Sequence, residues 1–399
     1  MPSVPKFSTR TAWDTTETSL AQAIRERRSS GFPLIDLTAS NPTHCGFNYD
    51  EAAILSALGD PRVLLYDPDP RGMRSAREAI ALYYADHNAS IDPAHIFLTT
   101  STSEAYSYLF RLLADAGDEI LIAQPSYPLF DFLAQLEDVR LVPYPLFYDH
   151  GWHLDIEALR RRIGPRTRAI ALVHPNNPTA HFTEPAERRQ LEELCVEHGL
   201  ALIVDEVFLD YSLGGEQAPS FATGEHPALT FVLSGLSKVS ALPQMKAAWL
   251  VALGPASFGP ASALQSSLDR LEIIADTFLS MNAPIQCALP AWLASRAHMQ
   301  DQIRSRVAAN FAALDKILAT QTLITRLEVE AAWYATLRVP ALAPDEDLAI
   351  RLVRDHGLSV HPGSSFGFAE SGWLVLSLLT PPEDFLSGIQ TIAAIFNNQ

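Results

Sequence analysis

The sequence has few cysteines, no long apolar run and no excess of positive charge. Its three cysteines, Cys45, Cys195 and Cys287, form no CxxC pair and no metal-ligand spacing, so neither a disulfide framework nor a metal site is indicated. Reduced thiols of this kind are typical of a cytoplasmic protein. No apolar run reaches the roughly 18 residues of a membrane helix, and the polar stretch 1–17 lacks the apolar region of a secretory signal.

The net charge limits the kinds of molecule that the protein is expected to bind. A net charge of −17 disfavours nucleic acids and anionic lipids as partners, so we expect neither nucleic-acid nor membrane binding. It leaves room for an anionic small molecule in a locally cationic site. The chain has 399 residues, 48% of them apolar, which is enough for a large core and for two domains.

Between residues 95 and 252, short apolar segments alternate with segments of helical periodicity such as 104–116 and 184–198. The short segments are continuously apolar, which is typical of strands covered on both faces. They predict an α/β domain, residues 49–295, with a mainly parallel seven-stranded sheet under helices. The predicted strands are 95–99, 119–123, 140–144, 168–173, 200–205, 229–234 and 247–252.

The C-terminal part predicts a second, smaller α+β domain. The N-terminal residues match neither pattern and are expected to pack on this part, so the small domain comprises 1–48 and 296–399. No long Gly/Ser linker separates the domains, and they should share a cleft. The expected elements are a long helix over about 288–320, strands within 325–339, a helix at 345–356 and a terminal helix at 383–397.

Two polar segments follow predicted strands, at the edge where α/β proteins bind ligands. Asp205 closes an apolar run, and a buried acid needs a partner such as a cationic ring nitrogen; an ordinary loop carboxylate is the alternative. Ser101 to Glu104 has the spacing of a helix capping box. The same helix terminus would suit a phosphate, but capping alone also explains the motif.

Two further segments after strands are uninformative when taken singly. His174 to Ala180 (His-Pro-Asn-Asn-Pro-Thr-Ala) is typical of a turn. Ser234 to Lys238 follows another strand, and Lys246 lies eight residues beyond Lys238. A lysine in such a place is most often a solvated surface residue.

Taken together and in this order, the segments resemble the class I and II aminotransferases, the fold type I enzymes that use pyridoxal 5'-phosphate (PLP). The resemblance extends from about residue 34 to the C-terminus and implies the PLP-transferase fold. The matching motifs are Tyr66 to Gly72 ahead of the helix at 77–81, Gly117 to Glu119, Pro125 to Tyr127, Asn176 to Ala180, Asp205 to Phe208, Ser237–Lys238 with Leu242–Pro243, and Pro362 to Phe366.

The resemblance also implies roles for single residues. Lys238 would carry the cofactor as a Schiff base and, once freed, move a proton between substrate and cofactor. Asp205 would pair with the protonated pyridine nitrogen. The other implied cofactor-binding residues are Asn177 at the phenolic oxygen, Tyr127 on the ring face, Ser101, Thr102, Ser103 and Lys246 at the phosphate, Phe208 and Ser237 nearby, and Tyr66 at the phosphate of the neighbouring subunit in a homodimer.

Four positions depart from the family pattern close to the cofactor. Phe208 replaces a tyrosine that donates to the ring oxygen, so the Schiff base should keep its proton to a higher pH. Lys246 replaces an arginine, which keeps the charge and loses the bidentate fork. Gly235 replaces a serine, and Ala180 replaces the glycine that closes its motif.

A fifth departure concerns the substrate. Trp373 to Ser377 aligns with an aromatic-x-Arg-x-Ser motif and places Val375 where an arginine grips the substrate α-carboxylate. Loss of such a pair costs about 2–5 kcal/mol of binding. Either another cation replaces it, with Arg71 and Arg338 as candidates, or the donor is held differently. The candidate substrate residues are Asn41, Trp333 and Val375.

The function predicted from these residues is PLP-dependent transamination between an amino acid or amine donor and a keto acid or carbonyl acceptor. Other PLP chemistry on the same scaffold, such as β-elimination, decarboxylation or racemisation, is the alternative. A non-catalytic PLP-binding protein is a third possibility. The sequence does not identify the substrate.

Overall fold

The computed structural model describes residues 6–128, 130–214, 218–255 and 262–397. Its strands are β1 (Ile35–Asp36), β2 (Ile96–Thr99), β3 (Glu119–Gln124), β4 (Arg140–Tyr148), β5 (Trp152–Leu154), β6 (Thr167–Val173), β7 (Ala201–Asp205), β8 (Thr230–Gly235), β9 (Ala248–Leu253), β10 (Thr325–Arg326), β11 (Tyr334–Arg338), β12 (Leu358–Ser359), β13 (His361–Pro362) and β14 (Trp373–Ser377). Its helices are α1 (Ser19–Ser29), α2 (Glu51–Ser56), α3 (Arg74–Asp86), α4 (Thr102–Leu113), α5 (Phe130–Leu136), α6 (Ile156–Arg162), α7 (Pro185–His198), α8 (Leu236–Val239), α9 (Ala263–Phe278), α10 (Ala283–Ala294), α11 (Arg296–Leu318), α12 (Asp345–His356) and α13 (Pro382–Asn397).

The large sheet has the strand order β2-β9-β8-β7-β6-β3-β4-β5. Strands β8, β7, β6, β3 and β4 are parallel, whereas β9 is antiparallel to both of its neighbours. All seven predicted strands are present, and the α/β fold class is confirmed. An eighth strand, β5, pairs with β4 at the edge. It was not predicted, because three residues are too few to show a periodic pattern.

The continuous apolar character of the central strands follows from their burial on both faces. Successive side chains of a strand point to opposite faces. In β7, Leu202 and Val204 therefore join one hydrophobic core, while Ala201 and Ile203 join the core on the other face. Two helical layers cover the sheet, which leaves its strand ends as the accessible edges.

A smaller antiparallel sheet, ordered β10-β11-β14-β13, lies in the C-terminal part. It packs in a third core with α11, α12 and α13. The single long helix predicted over 288–320 is wrong, because α10 ends at Ala294 and α11 begins at Arg296. The Ser295 hydroxyl donates to the carbonyl of Ala291 at 3.0 Å, and this local bond competes with helix continuation.

The N-terminal segment pairs with the C-terminal part, since β1 runs parallel to β12 and α1 packs against α12. The division into domains 49–295 and 1–48 with 296–399 stays a prediction. Residues 1–5 and 398–399 of that predicted small domain lie outside the described residues. Within the described ranges, no helix is both long enough and apolar enough to cross a bilayer.

Candidate active site

A cavity of about 250 Å³ opens at the carboxyl edge of the large sheet. Strands β2, β6, β7 and β8 run in the same direction, so the residues that follow them meet at this edge. The cavity is lined by Ser40, Ser101, Thr102, Ser103, Tyr127, Phe130, Val173, Asn177, Asp205, Val207, Phe208, Gly235, Ser237, Lys238, Ala248 and Tyr334.

Lys238 lies on α8, directly after β8, and presents its amine to the cavity. Its Nζ is 4.9 Å from the ring centroid of Trp333 and 5.7 Å from that of Phe208. Burial among these rings lowers the pKa of Lys238 to about 8, against the opposing attraction of Asp205. A substantial neutral fraction near physiological pH gives this amine nucleophilic and basic character.

Asp205 ends β7 and is buried, with 7% of its surface exposed. Burial raises the pKa of its carboxyl to about 6. The N–H of Val207, which donates to Oδ1 at 3.1 Å, opposes this shift, as do the hydroxyl of Tyr106 and the charge of Lys238. A buried acid with so few partners is stabilised by a cation brought to it.

The raised pKa of Asp205 predicts a stability effect in the cofactor-free protein. The unfolded chain loses this proton near the ordinary aspartate pKa of 3.8, whereas the folded state keeps it up to about pH 6. Stability therefore falls as pH rises through this window. Asp205→Asn should therefore stabilise the cofactor-free protein by up to about 3 kcal/mol at pH 8. The gain should vanish near pH 3.5, where the wild-type acid is protonated in both states. Urea unfolding at both pH values measures the difference, and an equal gain at the two values would contradict it.

The N-terminus of α4 forms one wall of the cavity. The Ser101 side chain accepts from the N–H of Glu104 at 3.2 Å, as the capping motif predicts. The Glu104 carboxylate accepts from the N–H of Thr100 at 2.6 Å, so the returning half of the cap lies one residue earlier than expected. Thr102 and Ser103 are left at the open end of a 12-residue helix, a setting that suits an anion such as phosphate.

A network of buried side chains fixes the loop after β6. Asn176 Nδ2 donates to Thr179 Oγ1 at 2.7 Å, and Thr179 Oγ1 lies 2.7 Å from Nδ1 of His181. Asn177 projects into the cavity from this loop, and its buried Oδ1 has no hydrogen-bond partner among the described residues. A buried amide with an unpaired end at a cavity wall indicates a polar ligand. Turning the amide by 180° exchanges Oδ1 and Nδ2, so Asn177 can present its N–H groups to such a ligand.

Gly235 belongs to the cavity wall for a steric reason. A Cβ at this position would lie 2.9 Å from the Cβ of Ala248 and 3.0 Å from the carbonyl oxygen of Ala247. The serine that the resemblance led us to expect does not fit here. The close approach of β9 at this point requires a glycine, which explains why no serine is present.

The donor set fits PLP. Lys238 offers an amine for the aldehyde, Asp205 a carboxylate for a cationic ring nitrogen, and Asn177 a polar group for the ring oxygen. The N-terminus of α4 fits the phosphate. Tyr127 lies at the mouth of the cavity, edge-on to Phe130 with centroids 6.2 Å apart. In the described part of the chain, no cluster of His, Cys, Asp or Glu could hold a metal ion.

Five residues predicted from the sequence do not line this cavity. Tyr66 is 80% exposed, and Lys246 is exposed with a left-handed φ of 51°. Asn41 uses Oδ1 to cap its own turn, accepting from Thr43 N at 3.1 Å. Trp333 is fully buried behind Lys238, and Val375 is fully buried in β14.

The two candidate replacement arginines are engaged elsewhere. Arg71 forms an ion pair with Glu272 at 2.7 Å. Arg338 stacks on Trp373, 4.4 Å from the ring centroid, and donates to the Ser371 carbonyl. Among the described residues that line the cavity, Lys238 is the sole cation.

Several lining residues were not found from the sequence. Ser40 arrives from the N-terminal segment, and its neighbour Asn41 had been selected instead. Apolar wall residues carry no signal that separates them from core residues. The residues missed in this way are Ser40, Phe130, Val173, Val207 and Ala248.

Comparisons with known proteins agree with this geometry. Residues 33–390 match the family model described as aminotransferase class I and II. The chain is 26% identical over 260 residues to glutamate-pyruvate aminotransferase AlaA of Escherichia coli strain K12, covering 65% of this chain and 63% of that relative. It is 27% identical over 372 residues to the aspartate/prephenate aminotransferase of Thermus thermophilus, covering 93% of each. The alanine aminotransferase structure from Pyrococcus furiosus superposes with a TM-score of 0.88 at 22% identity, over 99% of this chain and 100% of that one.

Proposed function

The chain belongs to the class I and II aminotransferases, and on this premise we propose that it catalyses PLP-dependent transamination. The donor would be an amino acid or amine, and the acceptor a keto acid or another carbonyl compound. The observation that carries the proposal is that the Lys238 amine and the Asp205 carboxylate face one buried cavity beside the N-terminus of α4. When bound, PLP supplies a carbonyl for the amine and a ring that withdraws electrons from the reacting carbon.

Each of the cavity residues would have its own role in cofactor binding or proton transfer. Lys238 would hold the cofactor and then accept and return a proton, for which a pKa of about 8 is suited near neutral pH. Asp205 would keep the ring nitrogen protonated. Asn177 would donate its amide to the ring oxygen, and Tyr127 would cover the ring at the cavity mouth. Phe208 packs edge-to-face on Trp333 at 5.3 Å and closes the apolar side.

We further propose a homodimer with each site built across the interface. Leu64, Leu65 and Tyr66 are 85%, 70% and 80% exposed, an apolar run that a partner subunit would cover. Tyr66 does not line the cavity of its own chain, so in this proposal its hydroxyl reaches the phosphate end of the partner's cavity.

A cytoplasmic location is part of the proposal. Cys45, Cys195 and Cys287 are all unpaired and buried. Persisting free thiols are typical of a reducing compartment. Cell fractionation tests this assignment directly.

The way in which the donor is held remains a separate proposal. No arginine of the described residues lines the cavity, and Val375 lies opposite Thr336 and His361 in the small sheet. Directly opposed residues of neighbouring strands point to the same face of a sheet, so Val375 and Thr336 share a face. Tyr334, two residues before Thr336 in β11, points to that face as well, and it lines the cavity. We propose that neutral donors around Ser40 and Tyr334 hold a carboxylate there.

Val375→Arg tests this arrangement. The longer side chain should reach the cavity alongside Tyr334 and lower the KM of ordinary α-amino acids by about tenfold or more, because a bidentate pair is worth about 2–5 kcal/mol. Val375→Leu controls for added volume without charge. Steady-state kinetics with a panel of donors gives the answer. An unchanged KM in a folded Val375→Arg protein would show that this position does not face the substrate.

The proposed activity is tested by single-turnover spectroscopy of the PLP-loaded protein. Amino donors, including amines without an α-carboxylate, are added without an acceptor. Transamination predicts stoichiometric conversion of the cofactor to its amine form, reversed by a keto acid. Release of ammonia and pyruvate would indicate β-elimination instead, and the absence of any turnover would indicate a binding protein.

A further inference from the structure

The amine of Lys238 lies against aromatic rings rather than against hydrogen-bonding groups. Its Nζ is placed over the face of the Trp333 indole, 4.9 Å from the ring centroid, and lies 5.7 Å from the centroid of Phe208. No hydrogen bond or ion pair joins this Nζ to another of the described residues. An ammonium group within about 6 Å of a ring centroid is attracted by the electron-rich face, most strongly by that of tryptophan. The indole is therefore placed to hold this amine when the amine is charged.

Two other aromatic side chains fix the orientation of the Trp333 ring. Trp333 is fully buried, and Phe208 and Tyr211 pack edge-to-face with it at centroid distances of 5.3 Å and 5.1 Å. The hydroxyl of Tyr211 also donates to the backbone carbonyl of Lys238 at 2.6 Å. One aromatic cluster thus holds the backbone of Lys238 and presents a fixed ring face to its amine.

Packing alone does not account for a tryptophan at position 333. The buried Nε1 of Trp333 has no hydrogen-bond partner among the described residues. A leucine or a phenylalanine would fill apolar surroundings of this kind without burying an unpaired donor, which costs free energy. What the indole has beyond these side chains is the more electron-rich ring face.

We propose that Trp333 is a positioning residue whose ring face binds the ammonium form of Lys238 and keeps it directed into the cavity. The inference rests on the proposed function, because in transamination this amine is free for part of each cycle and then carries a proton. Trp333 does not line the cavity itself and acts through Lys238. Since Trp333 directly precedes β11 and Lys238 follows β8, the contact also joins the small sheet to the large one at the site.

Asp205 is the charged group that faces the Lys238 amine, and its carboxylate favours the ammonium form. The other ionisable groups close to Lys238 in the described part of the chain are phenols, and burial raises the pKa of each of them, so they stay neutral near pH 7. These phenols are those of Tyr127, Tyr334 and Tyr211. Weakening the ring-face attraction while burial is unchanged should therefore lower the pKa of Lys238.

A fluorination series measures the ring-face attraction without altering the shape of the side chain. Expression with tryptophan analogues that carry one to three fluorines replaces all six tryptophans and withdraws electron density from each ring in steps. Competitive acetylation of the cofactor-free protein, followed by mass spectrometry, reports on each lysine separately. The pKa of Lys238 should fall with each fluorine, by about one unit at three fluorines, whereas the other lysines should not respond.

Trp333→Phe and Trp292→Phe are the matched controls for this series. Trp292 is also buried, but its Nε1 donates to the carbonyl of Ile54 at 3.2 Å, and it does not line the cavity. The dependence on fluorine number should vanish in Trp333→Phe, because its remaining tryptophans do not touch the amine. It should persist in Trp292→Phe.

Turnover of the PLP-loaded protein gives a second readout. Positive charge develops on the amine as it takes the proton, so single-turnover rates should fall by about three- to tenfold at three fluorines, with KM within about twofold of wild type. A Lys238 pKa or a rate that does not depend on fluorine number, or an equal dependence in Trp333→Phe, would overturn the inference and leave the transaminase proposal standing. Absence of turnover in the unfluorinated wild type would instead contradict the transaminase proposal.

Discussion

Asp205→Ala should lower kcat by at least about a thousandfold while leaving the fold intact. Such a loss corresponds to about 4 kcal/mol of transition-state stabilisation. The reason is that the carboxylate keeps the pyridine nitrogen cationic, and without it the ring withdraws electrons weakly. Breaking one side of a buried charge pair costs about 2–5 kcal/mol, which agrees with the expected loss. Single-turnover rates with a donor measure it without the complication of product release.

A neighbouring aspartate provides the control for this experiment. Asp210 is also buried, at 5% exposure, but contacts His87 Nε2 at 3.2 Å and the hydroxyl of Tyr83 at 3.1 Å outside the cavity. Asp210→Asn should reduce stability and leave the turnover of the folded fraction close to wild type. A near-normal rate for Asp205→Ala would mean that the ring is not used as an electron sink in this protein.

Two inactive variants should restore activity to one another when they assemble together. Lys238→Ala removes the amine of its own site, and Tyr66→Ala removes the proposed phosphate contact of the partner's site. In a mixed dimer, one site contains both intact residues and the other contains neither. Random assembly of equal amounts should give about a quarter of the wild-type sites. Activity at limiting PLP after co-expression, or after unfolding and refolding together, measures the recovery.

The matched control pairs Lys238→Ala with Asp205→Ala. Both residues line the same cavity of one chain, so no mixed dimer contains an intact site. This pair should show no recovery above the sum of its members. A fully active monomer, or equal recovery in both pairs, would contradict a site shared between subunits.

The residues at strand ends could be predicted because a simple geometric rule places them. Asp205 and Lys238 follow parallel strands, and such strand ends meet at one edge of a sheet. The apolar runs that precede them were long enough to be recognised. By contrast, β5 has three residues, and the helix break at Ser295 depends on one hydroxyl bond, so neither leaves a periodic signal.

The sequence alone could not identify residues that belong to the site through tertiary contacts. Ser40 reaches the cavity through the pairing of β1 with β12. The engagement of Arg71 by Glu272, which lies 201 residues away in sequence, could not be read from the sequence either.

The identity of the lysine that carries the cofactor tests the account most directly. The chain has four lysines, Lys6, Lys238, Lys246 and Lys316, so the assignment has few rivals. Borohydride reduction of the PLP-loaded protein, followed by proteolysis and mass spectrometry, should place one pyridoxyl group per chain on the peptide containing Lys238. Lys238→Ala should abolish the label. A pyridoxyl group on Lys246, or undiminished labelling of the Lys238→Ala protein, would contradict the account.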